Sequence, residues 1–358
     1  MHDKIFSRPW WRALLFSVLE KLIRKQAGAV PPLPKNPRRI LVLAPVLRGD
    51  YIVLSPLMAG ISKAYPKAEL AVVVTKASIE IALADPVINR IIYYHKLPKW
   101  FSSVSEVYSY KPDIIVFPKA HPAFTETLLL LLSRAPFRIG LSHHSLDIFL
   151  THPVPHQKER EHRTEAYARL LEPFGFDPAL VNRKLHIGQN KESERKAFEF
   201  FSQHDPAQWV SLNVSAGSSA RIWRYRSWSE LIAKISETFT DIKFIVLGSP
   251  ADRELCRKLS NEYKNVFSAK TGSFLDASAY VARTSVLISP DTGTIHAAAA
   301  RNIPVVVLYN SDRINYTRFS PVSVPHRAIF AEKWKDVASI PVERVYDEFI
   351  HLLDEIKR

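Results

Sequence analysis

The chain has 358 residues, 47% of them hydrophobic and 23% charged, so it is too long for one ordinary core and too apolar for a disordered chain. A single cysteine, Cys256, excludes a disulfide framework and argues against a cysteine-based zinc site. A formal net charge of +14 calls for an anionic partner: a nucleotide, a phosphorylated lipid, a membrane surface or nucleic acid.

Half of that charge lies at the start. Residues 1–39 hold nine Lys/Arg against two acids, Asp3 and Glu20. Trp10, Trp11, Leu14, Leu15, Val18, Leu19, Leu22 and Ile23 recur at helical spacing, with Arg12, Lys21, Arg24 and Lys25 mostly opposite them. No apolar run here is long enough to span a bilayer, and no cleavage site of small residues follows one. A basic amphipathic helix led by two tryptophans reads as a membrane-surface anchor over residues 8–26. Packing on the chain itself or on a second subunit is the alternative. A proline-rich linker follows, and residues 1–38 are set apart as an arm.

Short β-branched runs then alternate with helical stretches. Strands are expected at Ile40–Ala44, Leu70–Thr75, Arg90–Tyr94, Ile114–Phe117 and Arg138–Leu141, with a helix at Tyr51–Ala64. A polar, histidine-rich stretch from about Thr151 to Asn190 contains the domain junction. The alternation restarts with strands at Trp209–Val214, Lys243–Leu247, Val266–Ser268, Val286–Ser289 and Val305–Tyr309. Helices fit Ser227–Thr238, Ala251–Glu262, Leu275–Arg283, Thr294–Arg301 and Val342–Lys357. Two consecutive arrays of this kind imply an α/β protein with two Rossmann-like domains, 39–185 and 186–340, facing a cleft. The helix in 341–358 is expected to pack back toward the first domain.

Ligands of such sheets bind beyond the carboxyl ends of the strands, which directs attention to three loops. Arg48-Gly49-Asp50 follows the first strand; Asp50 is either a helix cap or a general base at the cleft mouth. Ser215-Ala216-Gly217-Ser218-Ser219-Ala220-Arg221 follows the strand at Trp209–Val214; its small residues let backbone approach a phosphate, and Arg221 supplies charge. Without P-loop or G-x-G-x-x-G spacing, an ordinary serine-rich turn is the plain alternative. In Asp291-Thr292-Gly293-Thr294-Ile295-His296, a strand ends and an alanine-rich helix begins, so the helix start suits a diphosphate. Asp291 suits sugar hydroxyls better than phosphate, and its alternative is a cap; His296 reads as structural support.

Together these loops resemble glycosyltransferase family 9, the ADP-heptose:lipopolysaccharide heptosyltransferases. The likeness is carried by Gly49-Asp50 with Pro56, Ser215–Ser219 with Arg221 and Trp223, Val246-Leu247-Gly248 with Asp252, Thr271-Gly272-Ser273-Phe274-Leu275, and Asp291 to Ala300. His162–Gly175 is similar to the family's junction helix. The resemblance covers roughly Arg39 to the C-terminus and leaves the arm outside it.

The resemblance implies a GT-B fold and an inverting, metal-independent transfer of heptose from ADP-heptose to a lipopolysaccharide or lipooligosaccharide inner-core acceptor. No cofactor beyond the donor is implied. Carried over by position, Asp50 is the base, Ser218, Ser219 and Arg221 hold phosphate, and Asp252 contacts ribose. Asp291 reads the heptose, with Thr292, Gly293 and Thr294 at the diphosphate. Arg48 stands where small residues are usual and is a candidate for an acceptor phosphate. The basic arm would place the enzyme on the cytoplasmic face of the inner membrane, against an anionic lipid-linked glycan. Arg224 replaces the usual proline after Trp223, and Asn310-Ser311-Asp312 replaces a Gly-Pro-Thr-like turn. Those departures keep two alternatives in view: another nucleotide-sugar donor, or a catalytically silent, membrane-associated partner in glycan assembly. Nucleic acid is not expected as a partner, because the basic charge sits in an amphipathic arm rather than beside base-stacking aromatics.

Overall fold

The computed structural model describes residues 31–96, 98–121, 123–143, 146–157 and 160–357. The amphipathic segment at 8–26 lies outside the described residues.

The first domain strings together β1 (Arg39–Leu43), α1 (Arg48–Ala64), β2 (Glu69–Val74), α2 (Ile79–Ala84), β3 (Arg90–Tyr93), α3 (Trp100–Tyr110), β4 (Ile114–Phe117), α4 (Phe124–Leu132), β5 (Phe137–Leu141) and β6 (His152–Val154). Its strands are all parallel, in the order β3-β2-β1-β4-β5-β6. A junction helix, α5 (Arg163–Arg169), packs on α1. His186 N still donates to Ser55 Oγ of α1 at 2.9 Å, whereas α6 (Lys191–Ser202) packs against the second domain. Gly188 still abuts the Ala84 backbone of α2, so the chain crosses between domains between residues 188 and 191.

The second domain follows with β7 (Gln208–Asn213), α7 (Tyr225–Thr238), β8 (Ile242–Leu247), α8 (Arg253–Glu262), β9 (Val266–Ser268), α9 (Phe274–Val281), β10 (Val286–Pro290), α10 (Gly293–Ala300), β11 (Val305–Tyr309), α11 (Ile314–Phe319), β12 (His326–Phe330) and α12 (Val342–Ile356). Its sheet runs β12-β11-β10-β7-β8-β9, again all parallel. The inner strands are buried along their whole length, as β4 and β11 show, because helices cover both faces.

Both sheets thus have the doubly wound order, in which the chain reverses its direction of winding between the first and fourth strands of each domain. Loops leaving β1 and β4, and loops leaving β7 and β10, part to opposite faces there and open a crevice. Two expectations need adjustment. The strands β6 and β12 and the helix α11 go unpredicted. The C-terminal helix does not return to the first domain: Val345, Phe349 and Leu352 of α12 join the second domain's core beside Trp228, Leu231 and Ile235 of α7. Trp223 Nε1 donates to Ile340 O at 3.0 Å, and Tyr346 meets Thr238 across 2.8 Å, tying that helix down. The apolar stripe of α12 matches a stripe already exposed on α7, so the nearer domain takes it.

Candidate active site in the interdomain cleft

The two domains touch where α1 and α10 begin. A Cβ added to Gly49 would lie 2.9 Å from His296 Cδ2 and 3.0 Å from Gly293 Cα; one added to Gly293 would lie 3.2 Å from Gly49 N. Two glycines, one at each helix start, therefore permit backbone-to-backbone contact between domains. This places Asp50, in the first turn of α1, opposite Asp291, the last residue before the turn into α10. Each sits at its sheet's switch point, and the charge of Asp50 reaches the carboxylate of Asp291.

Burial pushes the Asp50 carboxyl above the usual aspartate range, while the charges of Lys119, Arg163 and Arg318 pull the other way. Lys119 follows β4, Arg163 opens α5 and Arg318 lies in α11, so three separate elements turn cations toward one carboxylate. Lys119 Nζ is held by Glu126 at 2.6 Å and by Pro45 O at 3.4 Å. A half-buried carboxylate with a raised pKa is a stronger base than a solvated one, and the surrounding cations oppose that rise.

Asp291 is buried, and burial raises its pKa, opposed by the charge of Arg221 and a hydrogen bond from Asn315. Arg221 Nη1 approaches Asp291 Oδ2 at 3.2 Å and donates to Asp291 O at 2.8 Å. Asn315 Nδ2 donates to the same Oδ2 at 3.3 Å. The expected phosphate cation Arg221 therefore also orients the expected sugar-reading acid, and the altered turn at Asn310-Ser311-Asp312 leads into the helix that supplies Asn315.

The remaining expected residues group around β7 and β8. Ser218 and Ser219 stand exposed on the loop after β7. Asp252 Oδ2 accepts from Ser215 Oγ at 2.6 Å and Ser249 Oγ at 2.5 Å, and Ser215 Oγ accepts from Ser249 N at 2.6 Å, pinning the two loops together. Thr292 caps α10 from extended backbone, Gly293 is its first residue, and Thr294 is buried behind it. Arg48 is exposed and reaches over the Phe274 ring at 5.7 Å, so it bridges the domains.

Sequence reasoning missed several residues. Asn213, at the end of β7, donates through Nδ2 to Ser289 Oγ at 2.9 Å and Thr292 Oγ1 at 3.0 Å, and so fixes the turn before α10. A buried amide at the carboxyl end of the strand, at the mouth of the sheet, was the available signal. Lys119, Arg163 and Arg318 carry no local signature. His296 is buried beside Gly49; burial and the neighbouring His162 depress its pKa to about 3, so it is neutral and packs as support. His162 Nε2 meets Ser320 O at 2.9 Å, another tie between the domains.

A family model described as "Glycosyltransferase family 9 (heptosyltransferase)" matches residues 120–339. The chain is 22% identical to the lipopolysaccharide core heptosyltransferase OpsX of Haemophilus influenzae, over 78% of this chain and 81% of that protein. A glycosyltransferase family 9 structure from Veillonella parvula superposes with a TM-score of 0.77 at 21% identity, covering 90% of this chain and 99% of that one. The Escherichia coli heptosyltransferase WaaC, solved with ADP-2-deoxy-2-fluoro heptose, superposes with a TM-score of 0.66 at 16% identity, covering 87% and 99%. The fold is accordingly GT-B, as the two sheets indicate.

Proposed function

The chain belongs to glycosyltransferase family 9, and from that premise we propose that it moves heptose from ADP-heptose to a hydroxyl of a lipopolysaccharide or lipooligosaccharide inner core. The observation that carries the reading is the abutment of α1 and α10, which sets Asp50 and Asp291 face to face across the cleft.

In this reading Asp50 accepts the proton of the acceptor hydroxyl as its oxygen attacks the anomeric carbon. The bond from that carbon to the diphosphate oxygen breaks, and ADP leaves with the bonding electrons. Attack from the Asp50 side and departure on the Asp291 side invert the configuration. No metal is assigned a role: Ser218, Ser219, Arg221 and the helix start at Thr292, Gly293 and Thr294 meet the growing charge on the diphosphate. Asp252 is assigned to ribose. Asp291, oriented by Arg221 and Asn315, accepts hydrogen bonds from the sugar, and Arg48 lies on the acceptor side of the cleft.

The acceptor is lipid-linked in this reading, so the enzyme works on the cytoplasmic face of the inner membrane, with residues 8–26 as the basic contact. Removing residues 1–36 is expected to reduce sedimentation with vesicles containing anionic lipid. Undiminished sedimentation would remove that part of the proposal.

The donor is tested by incubating the full chain and a heptose-deficient inner-core acceptor with ADP-heptose or with UDP- and GDP-linked sugars. Transfer from ADP-heptose alone is expected. Transfer from a UDP- or GDP-sugar only would assign another donor, the alternative that the altered Asn310-Ser311-Asp312 turn keeps in view. Failure to bind any nucleotide would point to a silent partner instead.

A further inference from the structure

The cations around Asp50 are not equivalent. Lys119 is neutralised by Glu126 at 2.6 Å, and Arg318 has contacts of its own. Arg163 is 7% exposed, its Nη1 is enclosed without a hydrogen-bond partner, and no carboxylate among the described residues pairs with it. Asp50 acts on it only at longer range, so a buried guanidinium nitrogen here lacks the close partner that such groups usually have.

Its position is fixed from both sides. Arg163 is the first residue of α5, and α5 packs on α1, the helix that carries Asp50. The preceding residue, His162, caps α5 through Thr164 and reaches Ser320 O at 2.9 Å, just beyond the end of α11. The guanidinium is thus held where α5 packs on α1, within electrostatic reach of both Asp50 and the buried Tyr167. A planar fork of donors in such a place matches a planar carboxylate or a phosphate in two-point contact.

We infer that Arg163 forms an anion subsite for the acceptor, taking a carboxylate or phosphate carried beside the hydroxyl that Asp50 deprotonates. This rests on the reading of Asp50 as base and deepens it. The subsite positions the acceptor hydroxyl and supplies the close counter-charge that Asp50 gives Arg163 only at a distance.

The test is a calorimetric titration of the full chain with heptose-free inner-core oligosaccharide in three forms: intact, with carboxyl groups reduced to alcohols, and with phosphates removed. Wild type is expected to bind the intact form at least about tenfold more tightly than the form lacking the recognised anion, and that form identifies the anion's source. Arg163→Gln is expected to bind all three at the weaker level while ADP affinity stays unchanged, and Arg163→Lys to recover part of the difference. Equal wild-type affinity for all three forms overturns the inference without any variant, and so does Arg163→Gln that discriminates as wild type does. The titration needs no turnover, so absent transfer from ADP-heptose would overturn the donor reading and leave this result standing.

Discussion

At Asp50 two requirements conflict. The role proposed for Asp50 needs a carboxylate in a partly dry cleft, and folding pays for its desolvation. Because burial raises its folded pKa above the unfolded value, the folded state holds its proton more tightly. This contribution therefore weakens stability as pH rises from the ordinary carboxylate range through the raised folded pKa. Asp50→Asn removes the charge and is expected to raise Tm by a degree or more in a thermal melt at pH 7, while losing about 10²–10⁴ in kcat. Lower Tm together with lost transfer would mean that Asp50 is structural. His296 works in the opposite sense. Its folded pKa of about 3 lies below the ordinary 6.5, so the folded state binds the proton less well. Its contribution is complete above 6.5 and declines as pH falls, by up to roughly 1.4 kcal/mol per pH unit within that window. Denaturant melts between pH 7 and 5 should show wild type losing stability and His296→Gln losing less; parallel curves would refute the assignment. Asp50, Asp291 and the serine loop were legible in the sequence because each follows an apolar strand and precedes a helix, a local pattern. Arg163 and Lys119 were not, since what matters about them is what α1 brings opposite them.

Among the elements, α1 and α10 carry the site, and their contact depends on two glycines. Gly49→Ala would force Cβ against His296 and the Gly293 backbone, prising the helix starts apart without touching a polar site atom. Transfer is expected to fall by about 10- to 100-fold, with ADP affinity and secondary structure unchanged, because small misplacements of reacting groups are costly. Wild-type turnover in this variant would show that the contact is incidental. A second tie is α2 to α9: Glu80 accepts from Phe274 N at 3.2 Å and Leu275 N at 2.8 Å, capping a helix of the other domain. Glu80→Ala should cost about 0.5–2 kcal/mol in that cap and raise protection loss in hydrogen exchange at the start of α9. Long buried strands were legible as continuous apolar runs. The edge strands β6 and β12 were not: β6 is three residues around a proline, and only Ile329 of β12 is fully buried. Neither half-exposed, short edge offers a period to read. The helix α11 is six residues with none buried, so it too lacked a pattern, although it delivers Asn315 to Asp291.

Over the whole molecule, one apolar cluster runs from Ile40 and Leu57 of the first domain to Ile295 and Tyr309 of the second, so the two Rossmann-like units share packing rather than hanging from a linker. The cleft is the seam of that packing, opened by two identical strand orders set against each other. The division into two such units was legible from the restart of strand–helix alternation after about residue 190. The destination of the last helix was not, since a stripe of apolar residues states that a surface will be covered and not which one. The arrangement suits a family 9 glycosyltransferase whose proposed base, Asp50, and proposed sugar-reading acid, Asp291, come from different domains. The most direct measurement compares wild type and Asp50→Asn in one assay, with ADP-heptose and a heptose-deficient inner-core acceptor, reading product configuration by NMR and ADP affinity by calorimetry. The expected result is an inverted product from wild type and at least about 10²-fold less of it from the variant, at equal ADP affinity. Retained configuration, or a variant that turns over as wild type does, would contradict it.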